Sequence, residues 1–126
     1  MTDITPSIPE GRQLINGYGR GRFRISGTEH QGSVIVFRER TLAWPVGAYE
    51  EVTAASLSPV TEAASEIEVL LLGCGPRMAM PSLVLKEHIR AFGIVVDTMD
   101  TGAACRTVNV LLSEDRAVAA ALIAVD

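Results

Sequence analysis

Glu68-Val69-Leu70-Leu71-Leu72-Gly73-Cys74-Gly75-Pro76 is the stretch on which the fold turns. Val69 to Leu72 carry no polar alternation, so a strand there has no side fit to face water. Such a strand belongs in the middle of a largely parallel sheet covered by helices on both faces. Gly73-Cys74-Gly75-Pro76 then ends it in a tight loop of small residues. Downstream, Pro81 and Ser82 start a helix through about Phe92, dominated by Leu83, Leu85, Ile89 and Phe92, and Gly93 is a natural stop. Ile94–Met99 is a second buried strand. Asp100 is placed to cap a helix over Thr101–Ser113, whose apolar stripe is Ala104, Val108, Leu111 and Leu112. The alanine-rich Arg116–Val125 suits helix and strand periodicity alike. A turn at Ser113–Asp115 and the preceding β-α-β-α rhythm favour a final strand.

Upstream the texture differs. Residues 1–12, with Pro6, Pro9 and Gly11, are expected to form a flexible N-terminal arm, leaving 13–126 as a single α/β domain. Glycines at 17, 19, 21, 27, 32 and 47 punctuate short β-rich segments. Phe23 and Ile25 alternate with Arg22 and Arg24; Ser33–Phe37 is β-branched and aromatic; Arg38-Glu39-Arg40 makes a turn; Thr41–Val46 returns with Trp44 before Pro45. Together these predict a β-meander of three or four strands. Glu50–Ala55 is expected as another short strand, and Ser58-Pro59 as the N-cap and first position of a brief helix.

Composition narrows the function classes. The chain has 126 residues, enough for one core and not two. Its net charge of −4 argues against a general nucleic-acid binder, which needs a positive footprint. The charge is polarised: residues 1–44 carry +2 and residues 45–126 carry −6, a distribution able to steer a charged partner or one arising by chance on a solvated surface. The longest apolar run, Ala117–Val125, has nine residues, about half of what a membrane-spanning helix needs. The opening Met1-Thr2-Asp3-Ile4-Thr5-Pro6 lacks the basic and apolar regions of a secretory signal. Two cysteines without a framework suggest a reducing compartment, so a cytoplasmic location is expected.

Several stretches invite a chemical reading. Gly73-Cys74-Gly75, followed by Asp97 24 residues after Gly73, imitates a dinucleotide fingerprint, but Pro76 deletes an amide donor and Met78 takes the third glycine position. Thr101, Cys105 and Asn109 line one helical face. The helix dipole and Arg106 would lower the Cys105 thiol pKa and form a thiolate; the competing reading is a small buried Cys105, with Asn109 bonded to backbone. Neither His30 nor His88 belongs to a Cys-His motif, and the thiols Cys74 and Cys105 lack metal-ligand spacing, so no metal or cofactor is expected. Arg20, Arg22 and Arg24, taken as one strand face, form a guanidinium ridge suited to an acidic protein partner or a charged solvated edge. With only six aromatics, stacking platforms for single-stranded nucleic acid are not expected. Trp44-Pro45 is either a binding anchor or core.

The strand ending Leu72-Gly73-Cys74-Gly75, the helix after Pro81, Gly93-Ile94, and above all Met99-Asp100-Thr101-Gly102-Ala103-Ala104-Cys105-Arg106-Thr107-Val108-Asn109-Val110-Leu111 resemble one family. It is the family of small single-domain proteins that includes a mitochondrial NADH:ubiquinone oxidoreductase (complex I) assembly factor and many bacterial and archaeal relatives. The resemblance covers roughly residues 13–125. It implies a three-layer α/β fold: a central mixed β-sheet with helices on one side and, on the other, a helix plus a small additional β-layer from the N-terminal half. It implies no catalytic residue, and a non-enzymatic protein-binding role in assembling a respiratory complex, with complex subunits or membrane-associated assembly machinery as partners. Gly73, Gly75, Pro76, Thr101, Cys105, Arg106 and Asn109 are expected to cluster where the central strands end and the helices begin. The alternative is a small-ligand or redox-sensing site around Cys105, Arg106 and the Gly73–Pro76 loop; a homo-oligomeric structural role is the third expectation.

Overall fold

A computed structural model of the chain describes residues 2–4 and 9–126. Met1 and residues 5–8 of the expected N-terminal arm lie outside the described residues. Two sheets form. The smaller contains β1 (Thr2–Asp3), β2 (Ile15–Gly19), β3 (Arg22–Ile25) and β4 (Thr28–Gln31), antiparallel and in that spatial order. Two-residue turns join β2 to β3 and β3 to β4. Their central pairs, Arg20-Gly21 and Ser26-Gly27, all have positive φ (55°, 73°, 49° and 83°), as a type I′ hairpin turn requires.

The larger sheet contains β5 (Val34–Val36), β6 (Thr41–Ala43), β7 (Val69–Gly73), β8 (Val95–Met99) and β9 (Val118–Leu122), in the order β6-β5-β9-β7-β8. β7 pairs parallel with both β8 and β9, while β5 pairs antiparallel with β6 and β9, so the sheet is mixed. The apolar run of β7 therefore occupies the interior position its lack of polar alternation demands.

α2 (Leu83–Arg90) links β7 to β8, and α3 (Thr101–Ser113) carries the chain back past β7 to β9. These crossovers run in opposite directions, and the right-handed rule then sends their helices to opposite faces. The packing agrees. Leu70, Leu72, Ala119 and Ala121 meet Leu85 and Ile89 of α2, together with Trp44, Leu57 and Val60. Leu71, Ala120 and Leu122 meet Ala104, Val108 and Leu112 of α3, together with Ile15, Phe23 and Ile25 of the small sheet. The result is a three-layer α/β fold in which α3 and the small β-layer share one side. Each fully buried leucine or isoleucine contributes roughly 1.5–3 kcal/mol.

Three local expectations are corrected. Ser33–Phe37 and Thr41–Val46 supply β5 and β6 of the large sheet rather than a continuing meander, because Val34, Ile35 and Val36 are buried on both faces. The expected strand at Glu50–Ala55 is replaced by 3₁₀ turns at Tyr49–Glu51 and Ala55–Leu57; Glu51 folds back to accept from Gly47 N at 2.9 Å. Ser58 is the first residue of α1 (Ser58–Glu62) rather than its cap, since the preceding 3₁₀ turn already delivers helical backbone to it. By contrast, Ser82 and Asp100 cap α2 and α3, accepting from Leu85 N and Ala103 N.

Candidate functional site

The parallel strands β7 and β9 end beside the N-terminus of α3, and Thr101 fastens all three. Its buried hydroxyl accepts from Gly75 N at 2.9 Å and donates to the Ile123 carbonyl at 2.7 Å. Backbone bonds complete the junction: Thr101 N to Gly75 O, Cys74 N to Met99 O and Ile123 N to Gly73 O. Gly73 is required by close approach, because a Cβ there would lie 3.2 Å from Thr101 Cα and 3.0 Å from Leu122 Cδ2. Gly75 turns at φ +98°, a conformation that favours glycine. Pro76 follows and is exposed.

Two turns along α3, Asn109 is buried and bonded to backbone. Its Oδ1 accepts from Ile15 N at 2.9 Å, and its Nδ2 donates to the carbonyls of Ile15 and Ile4 at 2.9 and 3.2 Å. The amide thus acts as a short piece of strand, holding β2 where its pairing with β3 shifts register between Ile15 and Gly17. Arg106 lies outside this face. It is exposed, donates to the Tyr18 hydroxyl at 2.9 Å, and rests 5.9 Å from the Tyr18 ring centre.

Between Thr101 and Asn109 sits Cys105, fully buried. Burial pushes its thiol up to about 12; Arg106 pulls the other way and loses, and Asp100 adds to the rise. Of the two readings of Cys105, the structure fits the small buried side chain rather than the thiolate, because removing charge from water outweighs one solvated guanidinium. Cys74 is also raised by burial. It packs on the α2 face of the large sheet, whereas Cys105 packs on the α3 face, so the sheet separates the two thiols and both are free. The structure thus brings Gly73, Gly75 and Thr101 together, sets Cys105 and Asn109 further along the same buried helix face, and leaves Pro76 and Arg106 at the surface.

Other sequence signals resolve similarly. Gly75 N is spent on Thr101, and α2 begins only at Leu83, so the dinucleotide geometry is not made. Arg20 lies in the β2–β3 turn, leaving Arg22 and Arg24 on β3; Arg22 pairs with Glu29 at 3.0 Å. Trp44 is core, its Nε1 donating to the Ser56 carbonyl. A cleft of about 330 Å³ opens past the ends of β7 and β9, between Gly47–Glu50 and Cys74–Ala79, where open α/β sheets place ligands. Among the described residues, no group of three or more His, Cys, Asp or Glu is placed to hold a metal ion, and no helix is long and apolar enough to cross a membrane.

One surface escaped the sequence reading. Met78, Met80, Leu83 and Val84 are largely solvent-exposed, and Phe92 is partly so. The helical period held the signal: Leu85 and Ile89, four apart, define the inward stripe of α2, which turns Val84 outward.

The family described as "Protein of unknown function (DUF498/DUF598)" matches residues 15–123. An uncharacterised protein of Rhodobacter capsulatus is 35% identical over 90% of this chain and 86% of its own length. The NADH dehydrogenase [ubiquinone] 1 alpha subcomplex assembly factor 3 of Xenopus tropicalis is 36% identical over 87% of this chain; the match spans 60% of that protein. The crystal structure of an outer membrane protein from Bartonella henselae superposes with a TM-score of 0.87 at 41% identity, covering 92% of this chain and 98% of that one.

Proposed function

Since the chain belongs to the DUF498/DUF598 family, we propose that it is a non-enzymatic protein-binding module that helps assemble a respiratory NADH:quinone oxidoreductase. The observation that carries this reading is the fate of its polar constellation. Thr101 and Asn109 spend their side chains on backbone partners, and Cys105 holds a protonated, buried thiol. Groups so engaged serve rigidity rather than bond making. The relatives named as assembly factors support the biological setting. Two free thiols support a reducing, cytoplasmic location.

Arg20, at the tip of the β2–β3 turn, and Arg24, exposed on β3, are the proposed partner contacts, with Arg22 beside them. Among the described residues neither Arg20 nor Arg24 has a carboxylate partner, so both guanidinium groups remain available for bidentate bonds to an acidic protein surface. Affinity capture of the tagged chain from cells that build the oxidoreductase tests this. Subunits of that complex should co-purify with the parent and be lost with Arg20→Glu/Arg24→Glu; capture of none of them, or equal capture by the variant, overturns it.

A further inference from the structure

We propose that the loop between β7 and α2, with the first turn of α2, is a peripheral membrane-binding surface that inserts apolar side chains into an anionic lipid bilayer. Met78, Met80, Leu83 and Val84 expose 59%, 74%, 70% and 80% of their surface, all within seven residues. A single exposed leucine is ordinary, but four large apolar side chains in one short segment mark an interaction site. Met78 borders the cleft past the ends of β7 and β9, and Val84 borders a second one against Val52, Thr53 and Ala54, whereas Met80 and Leu83 project into solvent. A protein partner would need its own pocket to receive them, whereas a bilayer interface accepts an apolar protrusion of any shape.

Charge selects the lipid. Residues 77–90 carry Arg77, Lys86 and Arg90 against the single carboxylate Glu87, in a chain whose net charge is −4. Leu83, Lys86 and Arg90 follow one another along the exposed side of α2 at i, i+3 and i+7. Among the described residues, none of the three cations has an ion-pair partner, unlike Arg12, Arg22, Arg38, Arg40 and Arg116. Arg20, Arg24 and Arg106 also lack ion-pair partners among the described residues, but only the α2 end combines free cations with a run of four exposed large apolar side chains, and that combination sets the orientation of approach.

The segment is also held in place before any encounter. The Tyr49 hydroxyl donates to the Met80 carbonyl at 2.7 Å, and Ser82 caps α2 by accepting from Leu85 N at 3.0 Å. Leu85 and Ile89 anchor the helix to the sheet, so little ordering entropy is lost on insertion.

Co-sedimentation of the full chain with vesicles tests the proposal. The parent should bind phosphatidylcholine vesicles containing phosphatidylglycerol and not those of phosphatidylcholine alone. Lys86→Glu/Arg90→Glu should weaken that binding by roughly 30-fold or more, and Met80→Asp/Leu83→Asp should abolish it. All four positions are exposed, so unfolding curves should match the parent and separate lost binding from lost folding. Absence of binding to anionic vesicles overturns the proposal. So does binding unaffected by the aspartate substitutions, which is mere electrostatic adsorption, and so does loss of a captured protein partner from the aspartate variant without any vesicle binding. The assay uses pure lipid and a different face from Arg20 and Arg24, so its failure leaves the assembly role standing.

Discussion

Thr101→Val replaces a hydroxyl with a methyl of nearly the same shape, and so isolates the junction that joins β7, β9 and α3. The wild-type oxygen lies 2.9 Å from Gly75 N and 2.7 Å from the Ile123 carbonyl, in a fully buried setting. Each group left without a partner costs about 1–3 kcal/mol. A methyl cannot stay that close to either atom, which adds cost in the same direction. We expect a total near 3 kcal/mol, a large fraction of the ~5–15 kcal/mol stability of a domain this size. With a urea dependence of about 1–3 kcal/mol per molar, the unfolding midpoint should fall by ~1–3 M. Thr101→Ser keeps the hydroxyl and removes one buried methyl, and should cost only about 1 kcal/mol. Urea titration of the three proteins, followed by circular dichroism, distinguishes hydrogen bonding from packing. If Thr101→Val unfolds at the same urea concentration as Thr101→Ser, the hydroxyl does not hold the junction and the reasoning fails.

Gly73→Ala should destabilise by ~1–3 kcal/mol, because its Cβ meets Thr101 backbone at 3.2 Å and Ala104 Cβ at 3.3 Å; thermal unfolding at or above the parent temperature would contradict the close approach. The Asp115 carboxyl is lowered from 3.8 to about 2, chiefly by the hydrogen bond from Arg12 and then by that from Arg38. A folded-state value below the unfolded one gives a contribution present above pH 3.8 and lost as pH falls toward about 2. Asp115→Asn should therefore flatten acid destabilisation in that window, with asparagine tolerated at the local φ of +56°; an unchanged acid limb refutes the pairing. Cys105, with its thiol near 12, should react with iodoacetamide at pH 8 about 10³-fold more slowly than a free thiol. Rapid alkylation of the folded protein, located at Cys105 by mass spectrometry, would show an open site.

The parts of the fold legible in the sequence are those where one local pattern admits one environment. Val69–Leu72 had no polar side and became the doubly paired interior strand; Ser82 and Asp100 became caps because their side-chain oxygens match orphan helix amides. Where local pattern leaves partners open, tertiary structure decides. Val34–Val36 is as plausible in a meander as beside β9, and only burial on both faces distinguishes them. Arg20 fits the Arg22–Arg24 alternation by spacing, yet Gly21 turns the chain before β3 begins. At the candidate site, the positions of Thr101, Cys105 and Asn109 on one helix face were readable from their spacing of four. A buried Cys105 with Asn109 bonded to backbone was one of the two readings the sequence offered; the choice between them rests on the small sheet packing over α3, a contact between residues nearly a hundred positions apart. The exposed Leu83 and Val84 are the converse: apolar residues suggest core until the Leu85–Ile89 stripe assigns the inward face of α2.

That this chain acts by contact rather than by covalent chemistry is tested most directly in cells lacking it, by quantifying assembled NADH:quinone oxidoreductase on native gels after complementation. Cys105→Ala should restore assembly to the parent level, and Arg20→Glu/Arg24→Glu, at equal abundance, should not. Failure of Cys105→Ala despite normal folding and abundance, or full assembly in cells without the chain, would contradict the account.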